Sequence, residues 1–119
     1  MPLVVVTSGA DVMPDAESAV FGEDLARIVA DAFSAYDENI SNYDVEVRFR
    51  EPDERDVHAP AFAVEITATY SAARSEYRLE IVASIVEQIK NLTYFDLQEH
   101  QRPAFVWLIL PEAHIISFF

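Results

Sequence analysis

The Met1-Pro2 dipeptide is the place where residue type and position alone suggest acid–base chemistry. Because the second residue is small, Met1 is a substrate for methionine removal, which would leave a free prolyl amine. A free α-amino group has a pKa of about 8, and burial or a neighbouring cation lowers that pKa toward neutrality. Such an amine can act as a general base or a general acid. While Met1 remains, the Pro2 nitrogen is an amide and cannot accept a proton.

Other familiar kinds of active site are not predicted. The sequence has no cysteine, so it offers neither a disulfide framework nor a thiolate metal site. Its two glycines cannot form a phosphate-binding loop, and it lacks a Gly-x-Ser-x-Gly elbow. The three histidines have no His-x-x-x-His spacing, and we predict that His58 and His100 are solvated. We therefore predict no metal and no cofactor.

The charge balance narrows the possible partners. Acidic residues number 21 against 8 basic ones, a net charge of −13. This charge repels nucleic acid and anionic lipid, so we predict no nucleic-acid partner and no membrane partner. No apolar run approaches the roughly 20 residues that a membrane helix needs. The absence of cysteine suits a reducing compartment, and we predict a cytoplasmic location.

The hydrophobic pattern predicts the elements that would position these residues. Apolar residues recur at helical spacing from Phe21 to Tyr36, whereas Val45, Val47 and Phe49 alternate with charged residues as in a half-exposed strand. Residues 1–119 are predicted to form a single α+β domain, a duplicated β-α-β with a four-stranded mixed sheet and two helices on one face. The predicted strands are 3–6, 45–50, 62–70 and 105–110, and the helices are 21–36 and 76–92, the second with Ser75 as its N-cap.

Two helices can cover only one face of such a sheet. The first and last predicted strands are apolar on both faces, and the tail from Ile115 to Phe119 adds four large apolar side chains. Apolar surface of this extent is typical of an interface. We therefore predict an oligomer.

The opening Met1-Pro2-Leu3-Val4-Val5-Val6, followed by this duplicated layout, resembles the tautomerase superfamily. That superfamily includes macrophage migration inhibitory factor, 5-carboxymethyl-2-hydroxymuconate isomerase and cis-3-chloroacrylic acid dehalogenase. The resemblance implies a homotrimer in which Pro2 acts as the acid–base catalyst on a small carboxylate substrate.

Three further segments extend the resemblance. Ala72-Ala73-Arg74-Ser75 is similar to the family's Gly-Arg-Ser turn, with alanine in place of glycine, and implies that Arg74 binds a substrate carboxylate. The segment from Trp107 to Glu112 is similar to the last-strand segment of the dehalogenase, which implies that Glu112 activates water. Two residues further on, His114 could assist as an acid. Arg48 and Arg50 are on the charged face of the second predicted strand, the face on which several members place a carboxylate-binding arginine. Glu46, on the same face, could instead occupy the equivalent position.

These segments leave several functions open. The first is a tautomerase or isomerase acting on a small 2-oxo or enol carboxylate through Pro2. A relative using Glu112 would instead hydrate, dehalogenate or decarboxylate a short acid. Two non-enzymatic alternatives are a non-catalytic trimer of the same fold and a ferredoxin-like binding or assembly domain.

Overall fold

The computed structural model describes residues 2–8, 15–36, 39–53, 55, 62–92 and 104–111. The strands are β1 (Leu3–Ser8), β2 (Glu46–Arg50), β3 (Phe62–Thr67) and β4 (Ala104–Ile109). The helices are α1 (Asp15–Ser34), α2 (Ala72–Glu76) and α3 (Arg78–Lys90), and a 3-10 turn at Asn42–Asp44 precedes β2. The predicted order of strands and helices is therefore confirmed.

The four strands form one mixed sheet in the order β2-β1-β3-β4. The β1–β2 and β3–β4 pairs are parallel, whereas β1 and β3, which join the two halves, are antiparallel. Leu3 pairs with Glu46 on one side and with Thr67 on the other. Each half is a β-α-β unit, as the sequence predicts, and the fold class is confirmed.

Alternate residues of each strand face opposite sides of the sheet. We call the side that carries Val4, Val6, Val64 and Ile66 the helix face, because these residues pack in one buried cluster with α1 and α3. That cluster also contains large side chains from both helices, namely Phe21, Leu25, Ile28, Val29, Phe33, Ile81, Ile85 and Ile89. The hydrophobic core therefore lies between the sheet and the two long helices.

The opposite side, which we call the open face, has no helix on it among the described residues. One row across it reads Arg48, Val5, Glu65 and Trp107, from β2 to β4. Phe105, Trp107 and Ile109 of β4 are exposed there by 44%, 53% and 43%. The uncovered face expected from the sequence is thus present among the described residues, and its β4 row is apolar.

The predicted second helix is divided in two, and its predicted N-cap is wrong. Ser71, not Ser75, caps α2, because the Arg74 backbone N–H donates to the Ser71 hydroxyl at 3.1 Å. Ser75 lies inside α2, and Tyr77 separates α2 from α3 with φ −101° and ψ 18°. β3 also ends at Thr67 rather than near Tyr70: the Ala68 N–H still donates to the Ile109 carbonyl, but the carbonyl of the next residue, Thr69, accepts from the Arg74 side chain.

Within the described ranges, none of the helices combines the length and apolar character needed to cross a membrane.

Candidate functional site

β1 and β2 begin, and β3 and β4 end, along the same border of the sheet, which runs across the strands, as the strand directions require. We call it the Pro2 edge. Pro2 is buried there, immediately before the central strand β1, and its carbonyl accepts a hydrogen bond from the Glu46 backbone N–H at 3.1 Å. Extending the register beyond the Leu3–Thr67 pair places Pro2 opposite Ala68, which is also buried. The backbone of Pro2 is therefore fixed between two neighbouring strands.

Arg74 lies at the same edge, in the short helix that follows β3, and it is only 7% exposed. Its Nη1 donates to the Thr69 carbonyl at 2.7 Å, one residue beyond Ala68. Its guanidinium carbon lies 4.9 Å from the centre of the Phe33 ring, a cation–π arrangement with the last turn of α1. The positive charge of Arg74 is thus held inside the fold beside the Pro2 edge.

The two arginines of β2 lie on the open face at different distances from the Pro2 edge. Arg48 is next to Val5 and forms an ion pair with Glu46, with its Nε 2.9 Å from Glu46 Oε1 and both side chains about half exposed. Arg50 pairs with Thr7, so it lies near the opposite edge of the sheet from Pro2. Glu46 is the residue of β2 that lies beside Leu3 at the Pro2 edge.

Two of the predicted site residues, Glu112 and His114, lie outside the described residues, as do Met1, His58 and His100. The described part of β4 and its continuation ends at Pro111, which directly precedes Glu112 in the chain. The predicted roles of Glu112 and His114 therefore stay predictions.

A cavity of about 350 Å³ lies at the end of β4, between that strand and the segment that follows β3. It is lined by Leu108 and Leu110 from the β4 side and by Tyr70, Ser75 and Arg78. Sequence reasoning did not single out Arg78, although its spacing of four residues from Arg74 was visible. Its position at the junction of α2 and α3 depends on the break at Tyr77, which the periodicity did not predict.

A second cavity, of about 370 Å³, runs between α1 and β2. Its lining includes Glu23, Asn42, Tyr43 and Phe49 but no lysine, arginine or histidine among the described residues. A cavity whose charged group is a carboxylate does not favour an anionic ligand. Among the described residues, no cluster of three His, Cys, Asp or Glu side chains is suited to hold a metal ion.

The strongest pKa shift in the described chain belongs to an exposed loop and not to either cavity. Hydrogen bonds from the Arg55 side chain and backbone N–H lower the pKa of Asp53 to about 2. All three bonds are local contacts within the connection that follows β2. They explain the pKa of Asp53 without a functional role.

Comparison with known proteins gives a consistent result at the level of structure. No family model matches the sequence, and no curated protein matches it. A structure of N1, a member of the cis-3-chloroacrylic acid dehalogenase family, is similar over 92% of this chain and 74% of its own, at 18% identity and a TM-score of 0.60. A 5-carboxymethyl-2-hydroxymuconate delta-isomerase is similar over 100% of this chain and 88% of its own, at 12% identity and a TM-score of 0.63.

A third similar structure is a fused 4-OT described as an asymmetric trimer. It matches 92% of this chain and 85% of its own at 12% identity, with a TM-score of 0.61. At identities of 12% to 18%, the likeness to these structures concerns the fold alone. The resemblance drawn from the sequence is therefore confirmed for the fold, and this chain has the fold of the tautomerase superfamily.

Proposed function

We propose that this protein is a tautomerase or isomerase that acts on a small 2-oxo or enol carboxylate, with Pro2 as the acid–base group after Met1 is removed. The observation that supports the proposal most directly is the placement of Pro2. It is buried at the start of a central strand, and the backbone hydrogen bond from Glu46 fixes it there. Burial penalises the charged form of an amine, so a free Pro2 amine would favour the neutral, basic form.

The reaction requires only proton transfer. The Pro2 nitrogen takes the hydroxyl proton of an enol acid, and the electron pair of that O–H bond forms the new carbonyl. The electrons of the C=C bond then take a proton from the protonated Pro2 amine at carbon, which restores the base. A positioned general base or acid of this kind contributes about 10²–10⁴ in rate.

Charge at the Pro2 edge supports the choice of an anionic substrate. Arg74 places a buried positive charge beside this edge in a chain whose net charge is −13. In the proposal, that charge attracts the substrate carboxylate and opposes the accumulation of positive charge on Pro2. Arg48 is a weaker candidate for carboxylate binding because Glu46 already neutralises it. Arg50 is weaker still because it lies near the other edge.

We further propose that the protein is a homotrimer that buries the open face. Phe105, Trp107 and Ile109 form an exposed apolar row on β4, beside Ala63, Glu65 and Thr67 of β3. Large apolar side chains exposed side by side in this way are typical of protein–protein interfaces. A similar solved structure is described as a trimer, which supports this oligomeric state.

The test begins with the N-terminus. Mass spectrometry of the intact protein first establishes that Met1 is absent. Ketonisation of phenylenolpyruvate is then followed against the rate in buffer alone. Pro2→Ala, which still permits methionine removal, is expected to lose most of the acceleration while keeping the mass of the assembly.

Two results would overturn the enzyme proposal. One is a wild-type rate no greater than that of buffer, and the other is a Pro2→Ala variant as active as wild type. Either result favours a non-catalytic protein of the same fold. Arg27→Ala serves as the surface control, because the half-exposed Arg27 side chain forms its described ion pairs with Asp24 and Asp31 of the same helix. The Arg27→Ala variant should be as active as wild type.

A further inference from the structure

The cavity at the end of β4 contains a cation without a described acidic partner. Arg27, Arg48 and Arg55 each form an ion pair with a neighbouring carboxylate. Arg78 is exposed and forms no ion pair with any described residue. Arg50 and Lys90 likewise form no ion pair with a described residue, but of these three cations only Arg78 lines either of the two cavities.

The Arg78 guanidinium is oriented by its own helix junction. Its Nη1 donates to the Ser75 carbonyl at 2.6 Å, across the break between α2 and α3. This bond occupies one donor of the guanidinium and leaves its other N–H groups available. The hydrogen bond therefore holds the cation at the cavity, so that less rotamer freedom would be lost when a ligand binds.

The rest of the cavity complements a small organic acid. Tyr70 and Ser75 each add a hydroxyl group, and neither hydroxyl is hydrogen-bonded to a described residue. Leu108 and Leu110 contribute apolar surface on the β4 side. An arginine binds a carboxylate through two parallel N–H···O bonds, hydroxyl groups can donate to the same oxygens, and leucine side chains can contact a hydrocarbon portion.

The cavity also lies at the Pro2 edge, on the helix face. The Ala68 N–H donates to the Ile109 carbonyl at 3.1 Å, which extends the β3–β4 pairing to the level of Leu110. Pro2, Ala68 and Leu110 thus lie in one row across β1, β3 and β4. Pro2 and Leu110 are separated by two strand spacings, about 10 Å.

From these observations we propose that Arg78, with Tyr70 and Ser75, forms a carboxylate-binding subsite. Arg74 cannot supply the same contact in this structure without leaving Thr69 and Phe33, because its guanidinium is buried against them. Arg74 therefore provides a fixed positive charge, whereas Arg78 provides two exposed N–H donors for the carboxylate. The role of this subsite in turnover rests on the proposed function, whereas its binding of a carboxylate does not.

Binding is tested by calorimetry with 3-phenylpropanoate and with its neutral amide. The acid is expected to bind and the amide to bind much more weakly, because only the acid offers two anionic oxygens. Arg78→Ala should weaken binding of the acid by about tenfold to a hundredfold, the range for hydrogen bonds to charged groups. Arg78→Lys should recover part of the loss, because lysine keeps the charge but not the two-pronged geometry.

The charge-matched control is Arg27→Ala, which removes one positive charge from the outer side of α1 and should leave the affinity unchanged. Equal losses in Arg78→Ala and Arg27→Ala would show a general charge effect and overturn the proposal. Equal binding of the acid and the amide would also overturn it. Circular dichroism of each variant verifies that the fold is intact.

Turnover separates this proposal from the proposed function. Arg78→Ala should raise KM for phenylenolpyruvate with little change in kcat, as expected when binding is lost equally from ground state and transition state. If Pro2→Ala abolishes activity while Arg78→Ala leaves both KM and acid binding unchanged, the subsite is refuted and the proposed function stands. If wild type has no activity but Arg78→Ala weakens acid binding, the proposed function is refuted and the subsite stands.

Discussion

The helix face and the open face are built from the same four strands, yet their side chains have different surroundings. On the helix face, Val4, Val6, Val64 and Ile66 have no exposed surface. On the open face, Trp107 is about half exposed although its strand is equally apolar. Hydrophobic sequence alone therefore does not distinguish the face that the chain covers itself from the face that remains available to a partner.

The largest effect on stability is expected on the helix face. Ile66→Ala removes a fully buried side chain from the core between the sheet and the two long helices and should lower the free energy of unfolding by about 2–5 kcal/mol. Urea denaturation provides the measurement. Leu79→Ala is the control, because that side chain is 74% exposed on α3 and should change stability by less than about 0.5 kcal/mol. Comparable losses in the two variants would contradict the assignment of the core.

Assembly should depend on the open face instead. Trp107→Glu places a charge in the centre of the apolar row, so it should prevent association while leaving the helix-face core intact. Sedimentation at micromolar concentration is expected to give about three times 13.4 kDa for wild type and 13.4 kDa for the variant. Trp107→Phe keeps an aromatic side chain and should retain the assembly. A wild-type protein that sediments as a monomer would contradict the proposed trimer.

A smaller effect on stability is expected on the helix face at β2, the outermost strand of the sheet. A methyl group added at Gly22 of α1 would lie 3.1 Å from Cε2 of Phe49. The Phe49 ring is 41% exposed on an edge strand, so it can tilt away. Gly22→Ala should therefore raise stability by less than about 1 kcal/mol, the helix propensity gain reduced by the displacement of the ring.

Thermal unfolding measures this gain, and Phe49→Leu provides the matched background. If the ring opposes the added methyl group, Gly22→Ala should stabilise the Phe49→Leu protein more than it stabilises wild type. A lower Tm for Gly22→Ala in both backgrounds would show that the helix itself, rather than the ring, resists the substitution.

The sequence predicted the fold more fully than the site, and particular residues show why. Alternation along β2 and β3 and the helical spacing of Phe21, Leu25 and Phe33 are direct consequences of strand and helix geometry. The cap at Ser71 was missed because Ser71 and Ser75 are equally good candidates locally. Only the three-dimensional structure shows that the Arg74 N–H bonds to Ser71.

The same limit applies to the arginines. The resemblance singled out Arg74, but local sequence does not reveal that its guanidinium lies against Phe33, which is distant along the chain. Nor does it reveal that Arg78 lines a cavity, because that cavity needs Leu108 and Leu110 from the other end of the sequence. Burial and exposure of a charged side chain are set by tertiary contacts, whereas periodicity reports only secondary structure.

The central position of β1 also has a kinetic consequence. Leu3, near the beginning of the chain, must find Glu46 on one side and Thr67 on the other. Pairings between such distant residues require the closure of long loops before any contact energy is gained, and this slows folding. During synthesis, β1 leaves the ribosome long before β3, which pairs with it on the side opposite β2. The Pro2 edge is therefore completed late in folding, after the β3 strand has become available.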